Sequence, residues 1–334
     1  MLRRRSLIIT IIVLSLLVPT AASFATGPED FSVAINAADL MVDVQSLAQN
    51  IGARPMGSEG ERLAGEYIAN RFSSMGYPVA VQEFVTTPPQ RDGMPASGPV
   101  NSRNVIATKP GDAQILVIGA HMDSPAVGVG AGDNASGVAA MLGVAQALTD
   151  VQLQHTVVFV AFGAEEGGSP SGAEFYIQSL GEQINNVVAM LNIDAVGIGD
   201  ELNVYAGAEV TWPTPVDPTP IIHPGPTWVR ELALNVAGTM GQALRTSPAE
   251  TWKGFTGDWS DHYAFVTANV PVAYFEAWQW NVGDAWWGQE TATGDVMKTT
   301  NDVYEAIKPA QVESAAEIIA AIAASIANDP ALPA

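Results

Sequence analysis

One stretch of the chain, GAHMDSPAVGVGAGDNASG from Gly119 to Gly137, sets His121 two residues before Asp123 and places Asp133 in the same glycine-rich loop. Further on, Glu165 and Glu166 are adjacent behind VVFVAFGA, Asp194 follows NVVAMLNI, and His262 lies in WSDHYAF. Two imidazoles, several carboxylates and no cysteine suit a divalent metal. Zinc takes nitrogen and carboxylate oxygen where thiolates are absent, and hydrolytic sites often pair two ions about 3.5–4 Å apart across a shared carboxylate and water. The count admits one histidine and one terminal carboxylate per ion, plus a bridge. Asp123 is close enough in sequence to His121 to accept its second ring proton and fix the tautomer. One glutamate is then left over as a base for water.

Singly, each residue has an ordinary explanation: Asp133 as an acid at a helix start, His121 as a hydrogen-bonded loop residue, Glu165 and Glu166 as solvated charge. Their shared placement argues otherwise. The runs QILVIGA, HTVVFVAFGA and NVVAMLNI are nearly continuously apolar, as strands buried on both faces must be, and NASGVAAMLGVAQALTD and SGAEFYIQSL between them read as helices. The pattern predicts an α/β fold, a three-layer α/β/α sandwich around a mixed, largely parallel sheet, with the extended runs VAVQEFV and SRNVIATK antiparallel near its start. Ligands in open α/β sheets collect beyond the carboxyl ends of the strands. Three predicted core strands deliver His121 with Asp123, Glu165 with Glu166, and Asp194 to that rim, while His262 precedes a last core strand, VPVAYFEAW. Periodicity also predicts a helix over 37–50, a second opened by a Ser58/Glu61 capping box and stopped by Gly76, a helix WVRELALNVAGTMGQAL, and a final helix over 310–328.

At the amino terminus, Arg3, Arg4 and Arg5 precede LIITIIVLSLLV and the small residues TAASFA. This predicts a signal peptide over 1–25, cleaved after Ala25, with an apolar run too short for a stable membrane anchor, and hence export to a secreted or periplasmic location. Residues 26–334 are expected to form a single domain, near the upper size for one core. A formal charge of −21 argues against nucleic-acid partners. The absence of cysteine removes disulfides and thiolate ligands, leaving stability to the core. A Pro/Trp-rich insertion occupies about 207–257. Trp212 and Trp252 flank it, and Trp278, Trp280, Trp286 and Trp287 follow the last core strand. These rings either line an apolar pocket or pack a long loop. His155 and His223 are expected to be structural or solvent-facing.

The motifs HMDS, GAGDNASG, FGAEEGG, NIDAVG and SDH, in this order, resemble those of the co-catalytic zinc aminopeptidases, the family of bacterial leucyl aminopeptidase, over about Arg54 to the last helix. The resemblance implies two zinc ions per chain: His121 and Asp194 on one, Glu166 and His262 on the other, Asp133 bridging, Glu165 as general base and Asp123 orienting His121. It implies a cis peptide between Asp133 and Asn134, and peptide or protein N-termini as substrates. One departure stands out: where the family usually has His-Thr-Pro before an Asp, this chain has KTTND, Lys298 to Asp302. Carboxypeptidases and glutaminyl cyclases share the scaffold and stay open as alternatives, as does an exported zinc-containing peptide- or sugar-binding protein. The sequence leaves the oligomeric state open.

Overall fold

A computed structural model describes residues 35–87, 98–167, 171–212, 220–284 and 287–331. The predicted signal peptide, Gly168, Trp286 and residues 213–219 of the proline-rich run lie outside them. The strands are β1 (Val79–Thr86), β2 (Val100–Lys109), β3 (Ile115–His121), β4 (Thr156–Phe162), β5 (Val187–Ile193), β6 (Glu201–Ala206), β7 (Ala208–Thr211), β8 (Ile221–Pro224), β9 (Val272–Asp284) and β10 (Gly288–Gln289). The helices are α1 (Ala37–Gln45), α2 (Glu59–Ser74), α3 (Gly137–Leu148), α4 (Ser171–Leu180), α5 (Trp228–Thr239), α6 (His262–Thr267) and α7 (Pro309–Ala327).

Eight strands form the main sheet in the order β1-β2-β4-β3-β5-β9-β10, with β6 also paired to β9. The central β4, β3, β5 and β9 are parallel, and β1, β2, β6 and β10 run antiparallel. The expected mixed α/β sandwich is what forms. Its cause is visible within single strands, where successive side chains point to opposite faces. Leu116, Ile118, Val157 and Phe159 enter a core shared with α1, α2, α3, α5 and α7, while Val117, Val158, Val160 and Phe162 enter a second core with α4 and α6. Phe159 closes the first against Phe72 and Tyr77, with ring centroids 5.8 and 5.6 Å away. The helix α7 is long and apolar enough to cross a membrane by composition, yet Ile318, Ile319 and Ile322 are buried within the first core.

Several elements differ from their predicted form. The first helix leaves α geometry at Ser46 and continues as a π-helical turn to Ile51, where Gly52 ends it with φ 89°. The helix α5 stops at Thr239, short of the predicted Leu244, because Gly241 takes φ 69° and Gln242 N–H donates back to Ala237 O. The edge strand β6 was not anticipated. The capping box closes on one side only: Ser58 Oγ accepts from Glu61 N–H, but the Glu61 carboxylate accepts from Gly57 N–H, Ser102 Oγ and Ala164 N–H instead. His155 is structural, its Nδ1 2.9 Å from Asp112 Oδ1 and its Nε2 2.9 Å from Asp329 O, and His223 is exposed on β8.

Candidate metal centre

The adjacent strands β4, β3 and β5 end at one rim, and their last residues build the site. His121 closes β3 and is buried. Its Nε2 lies 3.3 Å from Asp133 Oδ1 and 3.2 Å from Asp194 Oδ1. One ring nitrogen facing two carboxylate oxygens needs a positive charge between them. A proton can serve one oxygen at a time, whereas a divalent ion serves all three atoms. Ligand atoms of His121, Asp133 and Glu166 converge to within 4.8 Å of one another. Among the described residues Glu166 Oε1 is buried with no hydrogen-bond partner, as a group kept for a cation would be. An all-nitrogen-and-oxygen donor set fits zinc, and the residues present therefore fit an ion at this point.

Asp133 sits in a π-helical turn, Ala131–Ser136, ahead of α3, and the Asp133–Asn134 peptide is cis. Asn134, wholly buried, fixes that turn: its Oδ1 accepts from Gly137 and Ala195 N–H, and its Nδ2 donates to Ile193 O. Asp302 accepts from Gly132 and Asp133 N–H at 2.5 and 3.2 Å. The buried Arg54 guanidinium donates to the carbonyls of Leu47, Gly52, Met122, Val129 and Gly130. Gly130 is obligatory there, since its φ is 60° and a Cβ would lie 2.4 Å from Ser124 Cβ and 3.0 Å from Arg54 Nη2.

Asp123 does more than was expected of it. Its two carboxylate oxygens accept from the N–H groups of Glu165 (3.1 Å) and Glu166 (3.0 Å), while His121 Nδ1 lies 3.2 Å from the Asp123 backbone O and 3.6 Å from its carboxylate. It thus ties the end of β3 to the glutamate pair after β4. The Glu165 carboxylate makes no hydrogen bond among the described residues and faces the cavity. Ala164 before it and Ala195 after Asp194 both hold left-handed backbone, φ 58° and 47°, a conformation costing about 1 kcal/mol or more without glycine.

His262 is placed differently. Its Nε2 lies 2.8 Å from Gly257 O, its ring stacks on Tyr274 at 4.6 Å, and its Nδ1 is buried without a partner among the described residues. It does not line the cavity into which His121, Asp133, Glu165, Glu166 and Asp194 face. The cation beside Glu166 is Lys298, whose Nζ is 3.0 Å from Glu166 Oε2.

Electrostatics separate the two histidines. Burial opposes a charge on His121, but Asp194 and Glu165 outweigh it and hold its pKa well above the ordinary value. Burial lowers His262 to about 4. Burial, then repulsion from Glu166, Asp261 and Asp194, pushes Glu165 well up against the pull of His121. Glu166 is raised to about 8 by burial and by Asp133, with Lys298 pulling the other way. Acids outnumber cations in the site, and a divalent ion replaces the protons they would otherwise hold.

The cavity, about 340 Å³, continues from the acids to a wall of Trp212, Trp259, Trp278, Trp280 and Trp287, with Tyr274 and Glu276 also facing in. Trp212 stacks on Trp287 at 5.5 Å, and the fully buried Trp252 backs Trp259 at 5.3 Å. Trp259, Glu276, Lys298 and Asp302 were not singled out as site residues in the sequence. An acid inside an apolar strand was a readable sign for Glu276, and the KTTND departure was the sign for Lys298 and Asp302.

The profile of peptidase family M28 matches residues 104–323. The alkaline phosphatase isozyme conversion protein of Escherichia coli (strain K12) is 29% identical over 69% of this chain and 69% of its own length. Leucine aminopeptidase 2 of Trichophyton equinum is 35% identical over 51% of this chain, which spans 32% of that relative. Among solved structures, a zinc aminopeptidase from Bacillus subtilis superposes with a TM-score of 0.69 at 17% identity, over 91% of this chain and 98% of that one. A glutaminyl cyclase from Fimbriiglobus ruber gives 0.65 at 19%, over 91% and 97%.

Proposed function

The chain belongs to peptidase family M28, a family of metallopeptidases, and from that premise we propose that it is an exported zinc aminopeptidase that releases the first residue of peptides. The observation that carries the reading is His121 Nε2 flanked by the carboxylates of Asp133 and Asp194, with the unbonded carboxylate of Glu165 in the same cavity. His121, Asp133 and Asp194 would hold a zinc ion, with Glu166 Oε1 turned to the same cage. Bound there, zinc supplies Lewis acidity towards the scissile carbonyl and lowers the pKa of a water towards about 7.

Glu165 takes the proton of the attacking water and returns it to the leaving amine. Its carboxylate faces the cavity without a hydrogen bond of its own among the described residues, which leaves it open for both halves of that transfer. Asp123 keeps this base in place through the two amides it holds. Glu276, an acid that lines the cavity outside the cage, is left to receive the substrate's α-amine, which restricts the site to chain ends. The tryptophan wall takes a large apolar first side chain, excluding water as it does so. Residues 1–25 act as the signal peptide and residues 26–334 as one zinc peptidase domain.

Purified mature protein supplied with zinc is expected to hydrolyse leucine p-nitroanilide and to lose that activity with a chelator or when the substrate is N-acetylated. Loss of ammonia from N-terminal glutamine peptides without p-nitroaniline release would assign the site to glutaminyl cyclase chemistry. Peptide binding without any turnover would leave a binding protein.

A further inference from the structure

We propose that this centre holds a single divalent cation and that the ammonium of Lys298 stands in the place of a second; the proposal rests on the metallopeptidase reading above. A second ion beside Glu166 needs a neutral donor there, and the histidine expected to supply it does not converge on Glu166 among the described residues. His262 Nε2 faces the Gly257 carbonyl at 2.8 Å, so the ring proton sits on that nitrogen, and the ring is fixed flat against Tyr274. Its Nδ1 lies outside the one group of His and acid ligand atoms that converges among the described residues, which is His121, Asp133 and Glu166.

The position is taken instead by the ammonium of a largely exposed side chain. Lys298 Nζ lies 3.0 Å from Glu166 Oε2, in a cavity it shares with Asp133 and Glu165. The loop that delivers it is fastened on both sides. Before it, Val296 and Met297 N–H donate to Glu290 Oε2 at 2.6 and 2.8 Å; after it, Asp302 accepts from Gly132 and Asp133 N–H, in the turn that carries Asp133. Lys298 itself holds φ 59°, a backbone state that lysine does not favour and that its surroundings must impose. Glu166 is therefore divided: Oε2 is neutralised by the ammonium, while Oε1, buried and without a partner among the described residues, is left to the ion at His121 and Asp133. A second divalent ion would have to share Glu166 with a like charge at hydrogen-bond distance. An ammonium has three donors, and only one is spent on Glu166, so Lys298 is also placed to hydrogen-bond a substrate oxygen.

The test is a metal count. Protein stripped with chelator and titrated with zinc, by calorimetry and by elemental analysis after gel filtration, is expected to bind one tight equivalent; the cobalt(II) form is expected to give the spectrum of an isolated ion. Two tight equivalents, or a spin-coupled cobalt pair, in the wild-type protein would overturn the proposal without any variant being needed. Lys298→His, which replaces the ammonium by an imidazole, is expected to raise the count to two; a folded variant that still binds one would show that Lys298 does not occupy the second position. The readout is independent of turnover. An inactive protein with one ion defeats the peptidase reading alone, and an active one with two ions defeats this proposal alone.

Discussion

The cation cage and the tryptophan wall belong to one cavity but are built by different rules. In the cage, His121, Glu165, Glu166 and Asp194 issue from the ends of three neighbouring strands: Asp123 holds the first three, Ser260 Oγ donates to Asp194 Oδ2, and Glu61 and Asn134 accept from the flanking Ala164 and Ala195 amides. Groups that must meet one ion or one proton need positions defined to a fraction of an ångström, and strand ends with buried hydrogen bonds supply that. In the wall, Trp212, Trp259, Trp280 and Trp287 come from segments around β7, α6 and β9, held mainly by ring-on-ring contacts near 5.5–6.3 Å. An apolar side chain asks only for shape, so looser supports suffice. Damage to the cage should therefore appear in turnover, and damage to the wall in substrate binding.

The largest expected effect is that of Glu165→Gln: kcat falls by about 10²–10⁴-fold with bound zinc retained. Steady-state kinetics with metal analysis checks it, and unaltered turnover would remove the base from the cage. Next is the buried histidine on the far side of Tyr274. Its folded pKa is about 4 against an ordinary 6.5, so between these values the unfolded chain binds more protons. The stability it contributes is complete above about pH 6.5 and lost as pH falls towards 4, on the order of 3 kcal/mol. In urea titrations of protein against His262→Phe, the difference in stability is expected to narrow across that window; added zinc should leave the effect in place, whereas a ligand histidine would be protected by the ion. Asp123→Ala, which frees the Glu165 and Glu166 amides, is expected to lower kcat by about 10–100-fold, with zinc affinity weakened within the same range. The smallest effect is at the wall: Trp212→Ala should raise KM for bulky first residues by about 5–10-fold and spare kcat, given about 1 kcal/mol per aromatic contact. If kcat fell instead, wall and cage would not be separable.

The same contrast explains what could be read in advance. The sheet was legible because β3, β4 and β5 are apolar on both faces, and two-sided burial leaves a near-continuous hydrophobic run. The polar residues closing those runs followed from the strand ends alone. Lys298 was not legible on its own, since an isolated lysine between threonines and a methionine reads as solvated loop, and its partner Glu166 is 132 residues away. Only the altered motif marked it. Glu61 reads in the sequence as a local cap, yet its carboxylate is used at Ala164, a contact that no local pattern reveals. Trp259 gave no periodic signal, because a wall assembled from separate loops has no period.

Arg54 has a consequence for how much chain the enzyme needs. Its guanidinium is the shared donor for carbonyls at Leu47 and Gly52 on one side and Met122, Val129 and Gly130 on the other. A protein trimmed to the family-matched segment, 104–323, would lose this clasp and leave the backbone around Asp133 with unanswered acceptors in a dry interior. The smallest competent unit thus begins well upstream of the motifs that identify it, and the first helix is a working part of the catalytic apparatus.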